Sequence, residues 1–156
     1  MPSKYPKPGD KAPDFEGTST DGKKIRLKDF RGRKLVLYFY PRDFTPGCTA
    51  QACSLRDANE DIAARGAAIL GVSAQDEASH QEFTKKFKLN FPLLADTGQK
   101  VGKAYGVVGG GVFGLARSLT GMYERVTFII DEKGNIAHVV ADAQTANHGE
   151  QVLALL

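Results

Sequence analysis

Lys34-Leu-Val-Leu-Tyr-Phe-Tyr40, followed at once by Pro41-Arg-Asp-Phe-Thr-Pro-Gly-Cys-Thr-Ala-Gln-Ala-Cys53, decides how this chain is to be read. The first seven residues are an almost unbroken apolar and aromatic run of strand length, which suits a strand buried on both faces. Pro41 ends it. Thr45 is a good helix N-cap residue, and Pro46 after it occupies the first helical position, where a missing N–H costs nothing. Cys48 is then the third helical residue, the place where a capping box usually carries a carboxylate facing unpaired N–H groups. A cysteine in that environment is expected to favour thiolate over thiol, with a lowered pKa and raised nucleophilicity. The bland alternative is a small buried residue closing a helix end.

Cys53 lies five residues further along the same predicted helix. At ideal geometry the two Cα atoms are roughly 8.5 Å apart and about 140° round the axis, whereas a disulfide tolerates at most about 7 Å. A bond between them therefore requires the first turns of the helix to unwind. The apolar face runs through Cys48, Ala52, Leu55 and Ile62 and leaves Cys53 to one side.

Working outward, Ala67-Ala-Ile-Leu-Gly-Val-Ser73 reads as a second buried strand, entered from a helix that stops at Gly66. Strand, helix, strand makes the two strands parallel neighbours. Before them, Thr18-Ser-Thr-Asp-Gly22 is a turn leading into a short strand over Lys23–Leu27, a hairpin. After them, Asp76–Leu89 has acidic residues at its start and lysines at its end, with Phe83 and Phe87 on an inner face as core. Phe91–Asp96 reads as a short strand and Gln99–Tyr105 as a short helix closed by Gly106. Arg125–Asp131 and Ile136–Ala141 form an antiparallel hairpin around Glu132–Asn135. A helix over Thr145–Leu156 is expected to pack Val152, Leu153 and Leu156 on the sheet. Val107–Met122, with five glycines, lacks the strand and the Lys-Ser or Lys-Thr of a phosphate loop and reads as a mobile surface loop.

At 156 residues the chain is expected to be one domain, 1–156, with a full core. Two cysteines are too few for a disulfide framework and lack zinc-site spacing, so they read as reactive. His80, His138 and His148 have no ligand spacing and are expected to be surface or satisfied histidines, with no metal implied. The net charge of +3 is uneven, with the surplus in the first 34 residues, but no nucleic-acid recognition motif accompanies it. The N-terminus has no apolar core of a signal peptide and no segment is of membrane-spanning length, so a soluble, cytoplasmic protein is expected.

Pro41-x-x-x-Thr45-x-x-Cys48 resembles the active-site signature of the peroxiredoxins, and Gly47-Cys-Thr-Ala-Gln-Ala-Cys-Ser-Leu-Arg-Asp57 is similar to the bacterioferritin comigratory protein or PrxQ branch. The resemblance continues to the far end of the chain. It implies an α/β, thioredoxin-like fold: a central mixed β-sheet flanked by helices, with an N-terminal β-hairpin extension. It further implies a peroxidase in which Cys48 attacks the peroxide and Cys53 resolves the product. Some members carry the resolving cysteine in the following helix, but Asp76–Leu89 contains none. By the same resemblance Thr45 and the N–H groups near Gly47 and Cys48 hold the peroxide oxygens, Pro41 shields the site, and Arg125 approaches the reactive cysteine. On composition alone Arg125 is a solvated strand-end arginine, with Arg42 as a competing cation. The family is usually reset by thioredoxin, in some members by glutaredoxin, and needs no flavin, haem or metal. An internal resolving cysteine removes the chemical need for a dimer, so a monomer is expected. Two rivals share the fold. A thiol-disulfide oxidoreductase wants Cys-x-x-Cys, whereas four residues separate these cysteines. A non-catalytic redox sensor is told apart by sustained turnover with peroxide.

Overall fold

The computed structural model describes residues 5–108 and 122–156. Seven strands form one mixed sheet: β1 (Glu16–Ser19), β2 (Lys24–Arg26), β3 (Lys34–Phe39), β4 (Ala67–Ser73), β5 (Leu93–Ala95), β6 (Val126–Ile130) and β7 (Ile136–Val140). Their spatial order is β2-β1-β5-β4-β3-β6-β7. β3, β4 and β5 are parallel, and the two flanking hairpins are antiparallel additions at either side. Helix α1 (Pro46–Ala64) makes the crossover from β3 to β4, and α2 (Glu77–Phe87) the crossover from β4 to β5. A one-turn helix α3 (Lys100–Ala104) follows β5, and α4 (His148–Leu153) ends the chain.

The expected fold class and the parallel β3–α1–β4 unit are present. Val36 pairs with Ile69 and Tyr38 with Gly71 in the parallel ladder. Alternation along β3 divides the core, because successive side chains point to opposite faces. Leu35, Leu37 and Phe39 meet Leu70, Val72, Phe128 and the N-terminal segment on one face, while Val36, Tyr38 and Tyr40 meet Cys48, Leu55, Ile62 and Phe83 on the other. The buried apolar run is thus what a central strand requires.

Several boundaries differ from expectation. Asp76 lies outside α2 as its N-cap, accepting from Ser79 N at 2.9 Å, and Lys88 closes the helix in the left-handed region at φ 52°. Phe83 is core, but Phe87 is only half-buried at the rim of that cluster. The C-terminal helix is shorter than Thr145–Leu156: a 3-10 turn over Thr145–Asn147 precedes α4. It seats largely on α1 rather than on the sheet. Gly149 permits this, since a Cβ there would lie 2.5 Å from Ser54 O, and Gly149 N donates to Ser54 Oγ at 2.8 Å. The glycine-rich stretch expected to be a mobile loop falls mainly on 109–121, outside the described residues.

The three histidines are placed as expected of surface or satisfied groups. His138 is exposed on β7. His80 and His148 are fully buried, with both ring nitrogens of each in hydrogen-bond contact.

Candidate active site

The C-terminal end of β3 hands the chain to the Pro41–Thr45 turn, which feeds α1 back over the sheet. Pro46 is the first helical residue and Thr45 the N-cap, at φ −73° and ψ 151°. The cap is one of position only. Thr45 Oγ1 turns away from the helix and donates to Arg42 O at 3.0 Å, so no side chain caps α1. The first bond of the helix ladder runs from Thr49 N to Thr45 O at 2.9 Å. The N–H groups of Gly47 and Cys48 lie ahead of it and point out of the helix end, where an oxygen acceptor can meet them.

Cys48 occupies the third position of this helix and is 1% exposed. Beside it stands Arg125, 77 residues away in sequence and 3.4 Å away from Nη2 to Sγ. Strand register accounts for the meeting. β6 runs antiparallel to β3 with Val126 opposite Phe39, so the residue before β6 emerges at the strand end from which α1 departs. A positive guanidinium at that distance stabilises a sulfur anion, and the exposed N–H groups of the helix end act in the same sense. Arg42, the competing cation, is exposed on the turn, and no contact joins it to Cys48 among the described residues.

Two further side chains belong to the site. Gln51, one turn along α1 and fully buried, accepts from Arg125 Nη1 at 2.7 Å and so fixes the plane of the guanidinium. Tyr38 on β3 is buried beneath α1, and its hydroxyl has no hydrogen-bond partner among the described residues. Its pKa is pushed well up, first by burial and then by the nearby ionisable groups of Cys48 and Asp43. Gly47 is a close approach: a Cβ there would lie 3.1 Å from Arg125 Nη2.

Pro41 is half-buried at the mouth of the turn and Cys53 half-buried on α1, with both cysteines as free thiols. The structure therefore brings Arg125 to Cys48 and leaves the Thr45 hydroxyl on Arg42 O. It holds Cys53 five residues along an unbroken helix, out of disulfide reach.

A buried thiol at a helix N-terminus, with an arginine fork above it, is an arrangement suited to attack on a polarised bond. The AhpC/TSA family model matches residues 8–139. Peroxiredoxin Bcp of Escherichia coli K12 is 40% identical over 147 residues, 94% of this chain and 93% of that one. The chain belongs to the AhpC/TSA family and is a peroxiredoxin of the Bcp/PrxQ branch. Among solved structures, peroxidoxin BcpB of Mycobacterium tuberculosis superposes with a TM-score of 0.84 at 29% identity, covering 97% of this chain and 96% of that one. A bacterioferritin comigratory protein of Xanthomonas campestris, described in work on its alkyl peroxide reduction activity from trapped-intermediate and ligand complexes, gives 0.80 at 29% identity, with 90% of this chain and 88% of that one covered. These peroxiredoxin structures share the thioredoxin-like fold.

Gln51 is a residue that the sequence reading missed, although it lies in the i, i+3, i+4, i+7 row with Cys48, Ala52 and Leu55. A lone amide in an apolar helix row is a signal that a partner waits opposite it.

Proposed function

We propose that this thiol-dependent peroxidase reduces hydrogen peroxide and organic hydroperoxides at Cys48, with Cys53 as its intramolecular resolving cysteine. The observation that carries the reading is the Arg125 guanidinium 3.4 Å from a buried sulfur at the start of a helix. The Cys48 thiolate attacks the nearer peroxide oxygen; the S–O bond forms as the O–O bond breaks, and the departing oxygen leaves as water or alcohol after taking a proton. Negative charge grows on that oxygen, and the N–H groups of Gly47 and Cys48 and Arg125 are its stabilisers, joined by the Thr45 hydroxyl once it turns from Arg42 O to the peroxide. Pro41 limits the entry of water. Cys48 becomes a sulfenic acid, the Cys53 thiol condenses with it, a disulfide forms and water leaves.

Resolution demands that the first turns of α1 unwind, since an intact helix keeps the two sulfurs apart. A thiol reductant then restores both thiols by exchange. Thioredoxin is our proposal for that reductant, with glutaredoxin as the alternative. The alkyl peroxide activity of the Xanthomonas protein supports the inclusion of organic hydroperoxides. The need for a thiol reductant favours a reducing compartment and so the cytoplasm. No helix among the described residues is long and apolar enough to cross a membrane. With the resolving thiol in the same chain, a monomer acting as one domain suffices.

The test is NADPH consumption with thioredoxin, its reductase and each class of peroxide. Cys48→Ser should abolish turnover. Cys53→Ser should leave the first oxidation intact, slow cycling and send Cys48 on to sulfinic acid. Cycling unaltered in the Cys53 variant removes Cys53 from the mechanism.

A further inference from the structure

Five residues before Cys48, Asp43 lies in a buried polar cluster to which the peroxide chemistry assigns no part. Its side chain is 1% exposed and that of His80, opposite it, 0%. Asp43 Oδ1 accepts from Tyr40 Oη at 2.6 Å, and Oδ2 accepts from Ser79 Oγ at 2.8 Å while facing His80 Nδ1 at 2.6 Å. His80 Nε2 faces Leu94 O at 3.1 Å. A carbonyl oxygen only accepts, so Nε2 is the donor to it, and the short Nδ1–Oδ2 contact ties the ring to the carboxylate. Asp43 N donates to Gln75 Oε1 at 3.0 Å, which also accepts from Ser73 Oγ at 2.7 Å.

One turn residue is thereby fastened to the ends of β3, β4 and β5 and to the first turn of α2. The next residue, Phe44, is held in the left-handed region at φ 67°, its ring against Phe83 and Phe87 at 5.1 and 6.2 Å between centroids. Left-handed backbone is costly for an aromatic residue and persists only where its surroundings enforce it. Buried ionic pairs contribute little net stability, while removal of one partner is severe, so such a pair is better understood as fixing one conformation.

We propose that His80 is a positioning residue: through Asp43 it clamps the Arg42–Thr45 turn onto α2, holds the start of α1 in the geometry that attacks peroxide, and so sets how the Cys48 sulfenic acid divides between resolution and further oxidation. The proposal rests on the assignment of Cys48 and Cys53 given above. With the clamp closed, Cys48 stays beside Arg125 and Cys53 stays out of reach. With the clamp released, the first turns of α1 fray more often. The sulfenic acid then meets Cys53 sooner and is less often oxidised to sulfinic acid by a second peroxide, which transfers one oxygen and leaves as water or alcohol.

The experiment measures two rate constants in the full chain by rapid-quench alkylation and mass spectrometry: oxidation of Cys48 and formation of the disulfide. His80→Leu removes both ring donors. It should slow oxidation about tenfold, the equivalent of one hydrogen bond to a charged group, and raise the disulfide rate and the peroxide concentration needed for sulfinic acid. His80→Asn keeps a donor in the place of Nδ1 and should recover most of both effects. Ser79→Ala, a milder cut, should move both constants the same way by a smaller factor, and it decides the matter if His80→Leu does not fold. Ile136→Ala, on the opposite face of the sheet, is the control for general loosening. The clamp is overturned if the two constants do not move in opposite directions, if Asn fails to restore them, or if Ile136→Ala reproduces the pattern. Absence of any Cys48–Cys53 disulfide in the unaltered protein removes the underlying assignment and the clamp together. A normal disulfide with unmoved constants in the His80 and Ser79 variants removes the clamp alone.

Discussion

Arg125→Lys keeps the charge above Cys48 and deletes the fork. In the native site two nitrogens of one rigid plane divide the work, Nη1 binding Gln51 Oε1 at 2.7 Å and Nη2 reaching Cys48 Sγ at 3.4 Å. A single ammonium cannot occupy both places. Unit charges 3.4 Å apart attract by about 5 kcal/mol at an effective dielectric of about 20. Desolvation offsets much of that, and the net contribution of a hydrogen bond to a charged group is about 1.5–3 kcal/mol. Loss of the sulfur contact should therefore slow Cys48 oxidation by about 10- to 150-fold. The chain has no tryptophan to report the step, so a rapid-quench thiol assay is the suitable measurement. Gln51→Ala should slow the same step by a smaller factor, because Gln51 acts only by orienting the guanidinium. In the double variant the two losses should not add, since Arg125→Lys has already removed what Gln51 orients. A rate for Arg125→Lys within twofold of the native protein, or fully additive losses, would refute this division of labour.

Two predictions concern the support of the site. Gly149→Ala puts a methyl group 2.5 Å from Ser54 O and 2.7 Å from Ala58 Cβ, and this overpacking should destabilise the protein by about 1–3 kcal/mol; an unchanged denaturant midpoint would show that α4 does not bear on α1 as described. His148 is buried between Thr127 Oγ1 at 2.8 Å and Gln151 Oε1 at 2.7 Å. Burial lowers its pKa from 6.5, the hydrogen bond to Gln151 opposes that, and Arg125 adds to the lowering. The unfolded chain therefore binds this proton more readily than the folded one. The stability contribution of neutral His148 is complete above the unfolded value and is lost as pH falls below it toward the lowered folded value. Chemical denaturation at pH 7.5 and 5.5 should show that loss, and His148→Gln should reduce it; an equal loss in both proteins would exclude His148 as its source.

What could be read in the sequence was what local grammar encodes. The β3 run, Pro41, Thr45-Pro46 and Gly66 mark strand and helix ends through backbone constraints that need no tertiary partner, and Ala67–Ser73 follows as a parallel strand. Cys48 at the helix start was legible for the same reason. Arg125 was not legible on physical grounds, because its meeting with Cys48, 77 residues away, depends on the pairing of β6 with β3, and only the family resemblance pointed to it. Thr45 was placed at the cap, yet its hydroxyl bonds to Arg42 O, a competition between backbone partners that spacing does not reveal. His80 shares its helix face with Phe83, three residues on, so a polar group at an inner position was visible. Its partner Asp43, on a turn 37 residues earlier, was not. The extent of α4 escaped for a related reason: Val152 announces a buried face, but docking on α1 depends on the missing side chain of Gly149.

On the proposed mechanism, a sulfur poised at the tip of α1 is oxidised first and its helix then opens to a neighbour on the same chain. Mass spectrometry of the reduced protein after one equivalent of hydrogen peroxide tests this most directly. The expected product is a monomer lighter by two hydrogens, whose digest joins the Cys48 and Cys53 peptides through one disulfide. A product carrying added oxygen on Cys48 with Cys53 still free, or a disulfide between two chains, would contradict it.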